Sequence, residues 1–126
     1  MPHFVIEHFT EDPDALDTTK VREIALRVAG ECGAMDRRDV KVRTVRPDAI
    51  LFGDGRRSFI HVTISLLAGR SDDKKRALAE MLVGAYREAF GEIEAISVDV
   101  RDMNPACYKK SLVEGRTQAP EAEIAD

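Results

Sequence analysis

Tryptophan is absent from the chain, and tyrosine, phenylalanine and cysteine are scarce at two, five and two residues out of 126. So few rings leave little on which nucleic-acid bases could stack, and stacking is how RNA-reading sheet surfaces work. Cys32 and Cys107 have neither the density nor the spacing of a disulfide framework or a metal site, so both read as ordinary thiols in a reducing cytoplasm. Positive charge is not in excess either: 19 Lys and Arg stand against 23 Asp and Glu, a net charge of −4. Without a global positive field no nucleic-acid partner is expected, and an anionic ligand would need a local cationic pocket. No apolar run approaches the roughly 20 residues of a membrane span, and no basic-then-apolar leader is visible. The expectation is a cytoplasmic protein with no membrane partner. The three histidines, His3, His8 and His61, are scattered without carboxylate or cysteine partners at ligand spacing, so no metal or other cofactor is expected. With 33% charged and 44% hydrophobic residues, the chain fits one domain.

Against this sparse background one residue is conspicuous. Pro2 stands directly behind Met1 and at the head of an extended apolar run, His3-Phe4-Val5-Ile6. Removal of Met1 would leave a chain that begins with a secondary amine. An α-amino group already titrates near about 7.7–8.0, and an apolar pocket or neighbouring cations disfavour its charged form further. A general base works best in that range, and no metal is required.

The periodicities describe one unit used twice. Residues 3–8 alternate as a strand, with Phe4, Ile6 and His8 on one face and His3, Val5 and Glu7 on the other. From Thr18 to Glu31, Val21, Ile24, Ala25, Val28, Ala29 and Cys32 recur at spacings of three and four and mark an amphipathic helix that Gly33 can end. Val40 to Val45 reads as a second strand. The order then repeats. A strand runs from Ser58 to Leu67, a helix from Ser71 to about Phe90 with Leu78, Met81, Leu82, Ala85 and Ala89 inward, and a last strand from Ala95 to Arg101. Gly53-Asp54-Gly55 between the halves reads as a turn. Residues 1–114 form the expected domain, and 115–126 a polar tail that is mobile or ordered by a partner.

Two fused β-α-β units predict an α+β fold, a four-stranded sheet with both helices on one face, because crossovers between parallel strands are right-handed. The other face is then bare. Its alternate positions are Lys41 and Arg43, then His61, Thr63 and Ser65, then Ser97, Asp99 and Arg101. That set is too polar for a core but too large to go unused, so packing against copies of the same chain is expected. The same element order also describes ferredoxin-like sensors, metal carriers and RNA readers. A metal carrier would want a close cysteine pair, and an RNA reader would want rings on the bare face.

A second segment of interest is Ala68-Gly69-Arg70-Ser71-Asp72-Asp73. Gly69 permits a tight turn off the strand, Ser71 can cap the helix, and Asp72 and Asp73 suit the positive end of its dipole. Arg70 has no such evident local duty. At the strand–helix joint its planar guanidinium could grip a carboxylate at two points, or it could be a surface charge.

With Pro2 and Gly69-Arg70-Ser71 both in view, the sequence resembles the tautomerase superfamily. Within it, the chain is most similar to 5-carboxymethyl-2-hydroxymuconate delta-isomerase. The resemblance runs through Pro2-His3-Phe4, Val40-Lys41-Val42-Arg43, Gly53-Asp54-Gly55, Phe59-Ile60-His61-Val62-Thr63, Gly69-Arg70-Ser71, Ser97-Val98-Asp99-Val100, Asn104-Pro105 and Tyr108-Lys109. It implies a homotrimer in which Pro2 is the catalytic acid and base and Arg70 binds substrate. It implies a second cation at Lys41, where the family usually has arginine, or at Arg43. Lysine cannot reproduce a bidentate grip. The implied reaction is a cofactor-independent proton transfer within a small, unsaturated, anionic 2-hydroxy or 2-oxo di- or tricarboxylate. An alternative is a non-catalytic oligomeric module that binds an anionic metabolite on the same scaffold.

Overall fold

Alternation of apolar and polar residues sets the strands. In β1 (His3–Phe9) the side chains of Phe4, Ile6 and His8 are buried and that of Glu7 is exposed. In β3 (Phe59–Leu67) Ile60, Val62, Ile64 and Leu66 are buried while the residues between them are only partly so. β2 (Lys41–Val45) and β4 (Ala95–Met103) complete a sheet in the order β2-β1-β3-β4. The computed structural model describes residues 2–113, so the expected tail, 115–126, lies outside the described residues.

β1 runs parallel to β2, β3 runs parallel to β4, and the central β1–β3 pair is antiparallel. Each parallel pair is joined by a helix, as parallel neighbours require: α1 (Thr18–Glu31) in the first unit and α2 (Asp72–Ala89) in the second. The chain is thus two β-α-β units set side by side, the expected α+β arrangement. Asp17 caps α1 by accepting from Lys20 N–H, and Ser71 caps α2 by accepting from Lys74 N–H. Gly33 and Gly69 take φ of 75° and 135°, the region glycine tolerates best.

The core lies between both helices and one sheet face. Phe4, Ile6, Ile60, Val62, Ile64 and Leu66 meet Val21, Ala25, Val28 and Ala29 of α1 and Leu78, Leu82 and Tyr86 of α2. Apolar burial at about 25 cal/mol per Å² supplies the main driving force here. Met81 departs from the expected inward set, being 40% exposed. The fully buried Tyr86 turns the apolar stripe of α2 towards Leu82 and Tyr86, which leaves Met81 at the margin.

Register fixes the open face. His3 pairs with Lys41 and with Ser65, Val5 with Arg43 and with Thr63, and Ser65 with Arg101. Because side chains alternate, these residues share the face away from the helices, as the sequence pattern predicts. On that face the His61 imidazole Nδ1 is 2.6 Å from Ser97 Oγ, and Arg101 donates to Asp99 at 2.7 Å.

Candidate active site

The directions of the strands bring one end of the sheet together from distant parts of the sequence. β1 and β2 begin where β3 and β4 end. Pro2 lies buried at the head of β1, and its carbonyl accepts the Lys41 backbone N–H at 3.0 Å. The pairing of β1 with β2 therefore determines where Pro2 sits relative to Lys41.

His3, the next residue, projects onto the open face beside Lys41 and Arg43. Arg43 Nη1 donates to His3 Nδ1 at 3.3 Å, and His3 Nε2 is 3.1 Å from the Tyr108 hydroxyl. The two rings meet edge to face, with centroids 6.0 Å apart. Tyr108 reaches this position through a turn after β4, where Cys107 N–H and Tyr108 N–H donate to the Asn104 carbonyl at 3.0 and 3.1 Å. Partial burial, then the charges of Arg43 and Lys41, hold the His3 imidazole below its ordinary pKa. The neutral form is therefore the favoured one.

Arg70 follows β3, at the same end of the sheet. Contrary to the sequence reading, it has a local duty. Its Nε donates to the Ala34 carbonyl at 2.7 Å and its Nη1 to the Leu67 carbonyl at 2.9 Å. The half-buried guanidinium thus ties the β3–α2 joint to the loop after α1.

Of the residues expected from sequence, Pro2, Lys41 and Arg43 meet around His3, and Arg70 stands at the same sheet end with these two N–H groups directed to the backbone. His3 and Tyr108 were not among the site residues expected from sequence. Strand alternation was a signal for His3, since it shares a face with Lys41 and Arg43. The contact of Tyr108 with His3 spans 105 positions and leaves no local trace. Arg56 and Arg57 behave as surface charge: Arg56 pairs with Asp54, and Arg57 lies 3.8 Å from Glu11 while its backbone N–H meets Glu94.

The opposite end of the sheet holds a concavity of about 430 Å³ lined by Phe9, Ile50, Leu51, Phe52, Arg56 and Arg57 among others. The residues expected from sequence gather at the other end, around Pro2, where the sheet face is open. No group of three or more potential metal ligands occurs among the described residues, and no described helix is long and apolar enough to cross a membrane.

A family model described as 5-carboxymethyl-2-hydroxymuconate isomerase matches residues 2–117. Curated proteins give no match to the sequence. Among solved structures, Pt0534 inactivated by 2-oxo-3-pentynoate is 17% identical with a TM-score of 0.72, covering 86% of this chain and 92% of its own. A 5-carboxymethyl-2-hydroxymuconate delta-isomerase is 16% identical with a TM-score of 0.70, covering 90% of this chain and 89% of its own. The 5-carboxymethyl-2-hydroxymuconate isomerase of Deinococcus radiodurans R1 is 17% identical with a TM-score of 0.65, covering 87% and 88%. At such identities the structural likeness is one of fold, and fold alone does not carry function.

Proposed function

The chain belongs to the 5-carboxymethyl-2-hydroxymuconate isomerase family, and from that premise we propose that it moves a proton within an unsaturated 2-hydroxy or 2-oxo di- or tricarboxylate. The observation that carries this reading is that Pro2, Lys41, Arg43 and Arg70, brought together from three parts of the sequence, occur at one end of one sheet.

With Met1 removed, the neutral Pro2 amine takes a proton from the enol or from carbon and returns it to another carbon of the same conjugated system. Lys41 or Arg43, with Arg70, holds the carboxylates and stabilises the dienolate that forms between the two transfers. The same cations raise the energy of the protonated amine and keep Pro2 basic near neutral pH. A proton moved between two positions of one conjugated molecule leaves no electrons to dispose of, so this chemistry uses no cofactor. Fused 4-OT proteins of similar fold are described as symmetric trimers. By analogy this chain self-associates as a trimer through its open sheet face, which would enclose the Pro2 end. A cytoplasmic setting suits such metabolic chemistry.

One observation favours a second reading, a non-catalytic oligomeric module for an anionic metabolite. Arg70 directs two of its N–H groups to carbonyls, as a structural arginine does. Intact mass of the cellular protein and a spectrophotometric assay with 2-hydroxymuconate-type acids separate the two. Loss of Met1 together with turnover is the expected result. A retained Met1, which makes the Pro2 nitrogen an amide, would sink the enzyme reading.

A further inference from the structure

Beside Pro2, three side chains form a row whose direction can be read from donor chemistry alone. Arg43 Nη1 lies 3.3 Å from His3 Nδ1, and His3 Nε2 lies 3.1 Å from Tyr108 Oη. A guanidinium has donors and no acceptor, so His3 Nδ1 must carry its lone pair towards Arg43. The single proton of the neutral imidazole is then on Nε2, and the tyrosine oxygen accepts it. The phenolic proton of Tyr108 is left to point elsewhere. A second proton on the ring would set an N–H against the guanidinium, so the row holds together only with His3 neutral.

We propose that Arg43 and His3 are positioning residues that present the Tyr108 hydroxyl as a neutral hydrogen-bond donor to a substrate oxygen in the Pro2 site. This rests on the isomerase reading and deepens it. The oxygen it would serve is the 2-hydroxy or 2-oxo oxygen of the conjugated acid, on which charge builds during the transfer. A donor aimed there binds the transition state more strongly than the ground state. Donation from His3 Nε2–H into the phenol oxygen strengthens the outward O–H in turn. No proton passes along the row: Tyr108 and His3 keep theirs, and Pro2 carries the one that moves. The arrangement also divides the cations, with Arg43 acting through His3 and Lys41 and Arg70 left to the carboxylates.

Imidazole 15N NMR of the wild-type protein at neutral pH tests the row without reference to activity. His3 protonated on Nε2 with a bare Nδ1 is expected, and an Nδ1–H tautomer or a doubly protonated ring overturns the proposal. In the muconate assay, Tyr108→Phe should lower kcat by about tenfold to a hundredfold with a smaller change in KM. His3→Leu should fall to the same level, and the double variant no further, since both remove one interaction. His3→Gln, whose amide can accept from Arg43 and donate to Tyr108, should recover most of kcat and lose the His3 component of the acid-side fall of the wild-type pH profile, leaving only the component set by protonation of Pro2. Unchanged kcat in Tyr108→Phe, with the wild type active, overturns the donation alone. A wild type inert toward every conjugated acid, with the expected tautomer present, removes the isomerase reading and the donation with it but leaves the row intact.

Discussion

Tyr86 donates its hydroxyl to the Val21 carbonyl at 2.8 Å, a fully buried bond between the two helices across 65 residues. It supplies a polar tie inside an otherwise apolar cluster, and burial pushes the phenol pKa up. Tyr86→Phe keeps the ring packing and removes only the hydroxyl's bond to the Val21 carbonyl. We expect a loss of about 1–2 kcal/mol in urea unfolding with an unchanged m-value, whereas Tyr86→Ala should cost about 3–5 kcal/mol by leaving a cavity as well.

His8 sits on the helix side of β1, 5% exposed. Burial, then Arg46 and Arg22, lowers its pKa below the ordinary 6.5. Unfolding restores the ordinary value, so the unfolded chain binds more protons once the pH falls below about 6.5. Stability from this group is complete above that pH and declines as acid carries the protein towards the lowered folded value. His3 shifts in the same direction and contributes alike. Urea midpoints measured from about pH 8 down to pH 5 should fall in the wild type and fall less in His8→Phe. A flat profile in the wild type would contradict this account.

Pro2→Ala replaces a secondary amine with a primary one in the same place. We expect an unchanged circular dichroism spectrum and a loss of turnover of about a hundredfold or more. One extra residue ahead of Pro2 should abolish turnover altogether, because an amide nitrogen is not basic. Equal activity in the extended and processed proteins would exclude Pro2 as the base.

Arg70→Ala should be felt twice. Removal of the guanidinium leaves the Ala34 and Leu67 carbonyls without their charged donor, at a cost of about 1–3 kcal/mol in stability. The proposed carboxylate contact is lost as well, raising KM for the muconate-type acid. Arg70→Lys should recover part of the binding and little of the two-carbonyl tie. A purely structural arginine would change stability and leave KM alone.

Gly69 precedes this arginine with φ at 135°. A side chain there meets open space but strains the backbone, so Gly69→Ala should cost about 1–3 kcal/mol. Its effect on KM should follow that of Arg70→Ala if the turn is what aims the guanidinium.

Most of the architecture could be read from periodicity. Period two in Phe4-Ile6-His8 and Ile60-Val62-Ile64-Leu66, and spacings of three and four from Val21 to Ala29, report burial directly, and Asp17 and Ser71 act as local caps. Helix α2 was less legible, because Tyr86 owes its burial to a bond with the other helix rather than to its own polarity. At the site, Lys41 and Arg43 follow from strand alternation, but their engagement with His3 needs the β1–β2 register. The duty of Arg70 was hidden because its acceptors are carbonyls, which every residue has. Tyr108 was hidden because a turn after the last strand carries it back to the first residues of the chain.

The central antiparallel pair has an implication for the symmetry of the molecule. It relates the two β-α-β halves by an approximate two-fold rotation, so the position that Pro2 holds ahead of β1 corresponds to Ser58 ahead of β3. Ser58 lies mid-chain, joined through its nitrogen to Arg57. Fusion of the halves therefore makes the pseudosymmetry chemically unequal: at most one of the two related edges can ever carry a terminal amine, and the other, near the Phe9 and Phe52 concavity, is left to diverge without it.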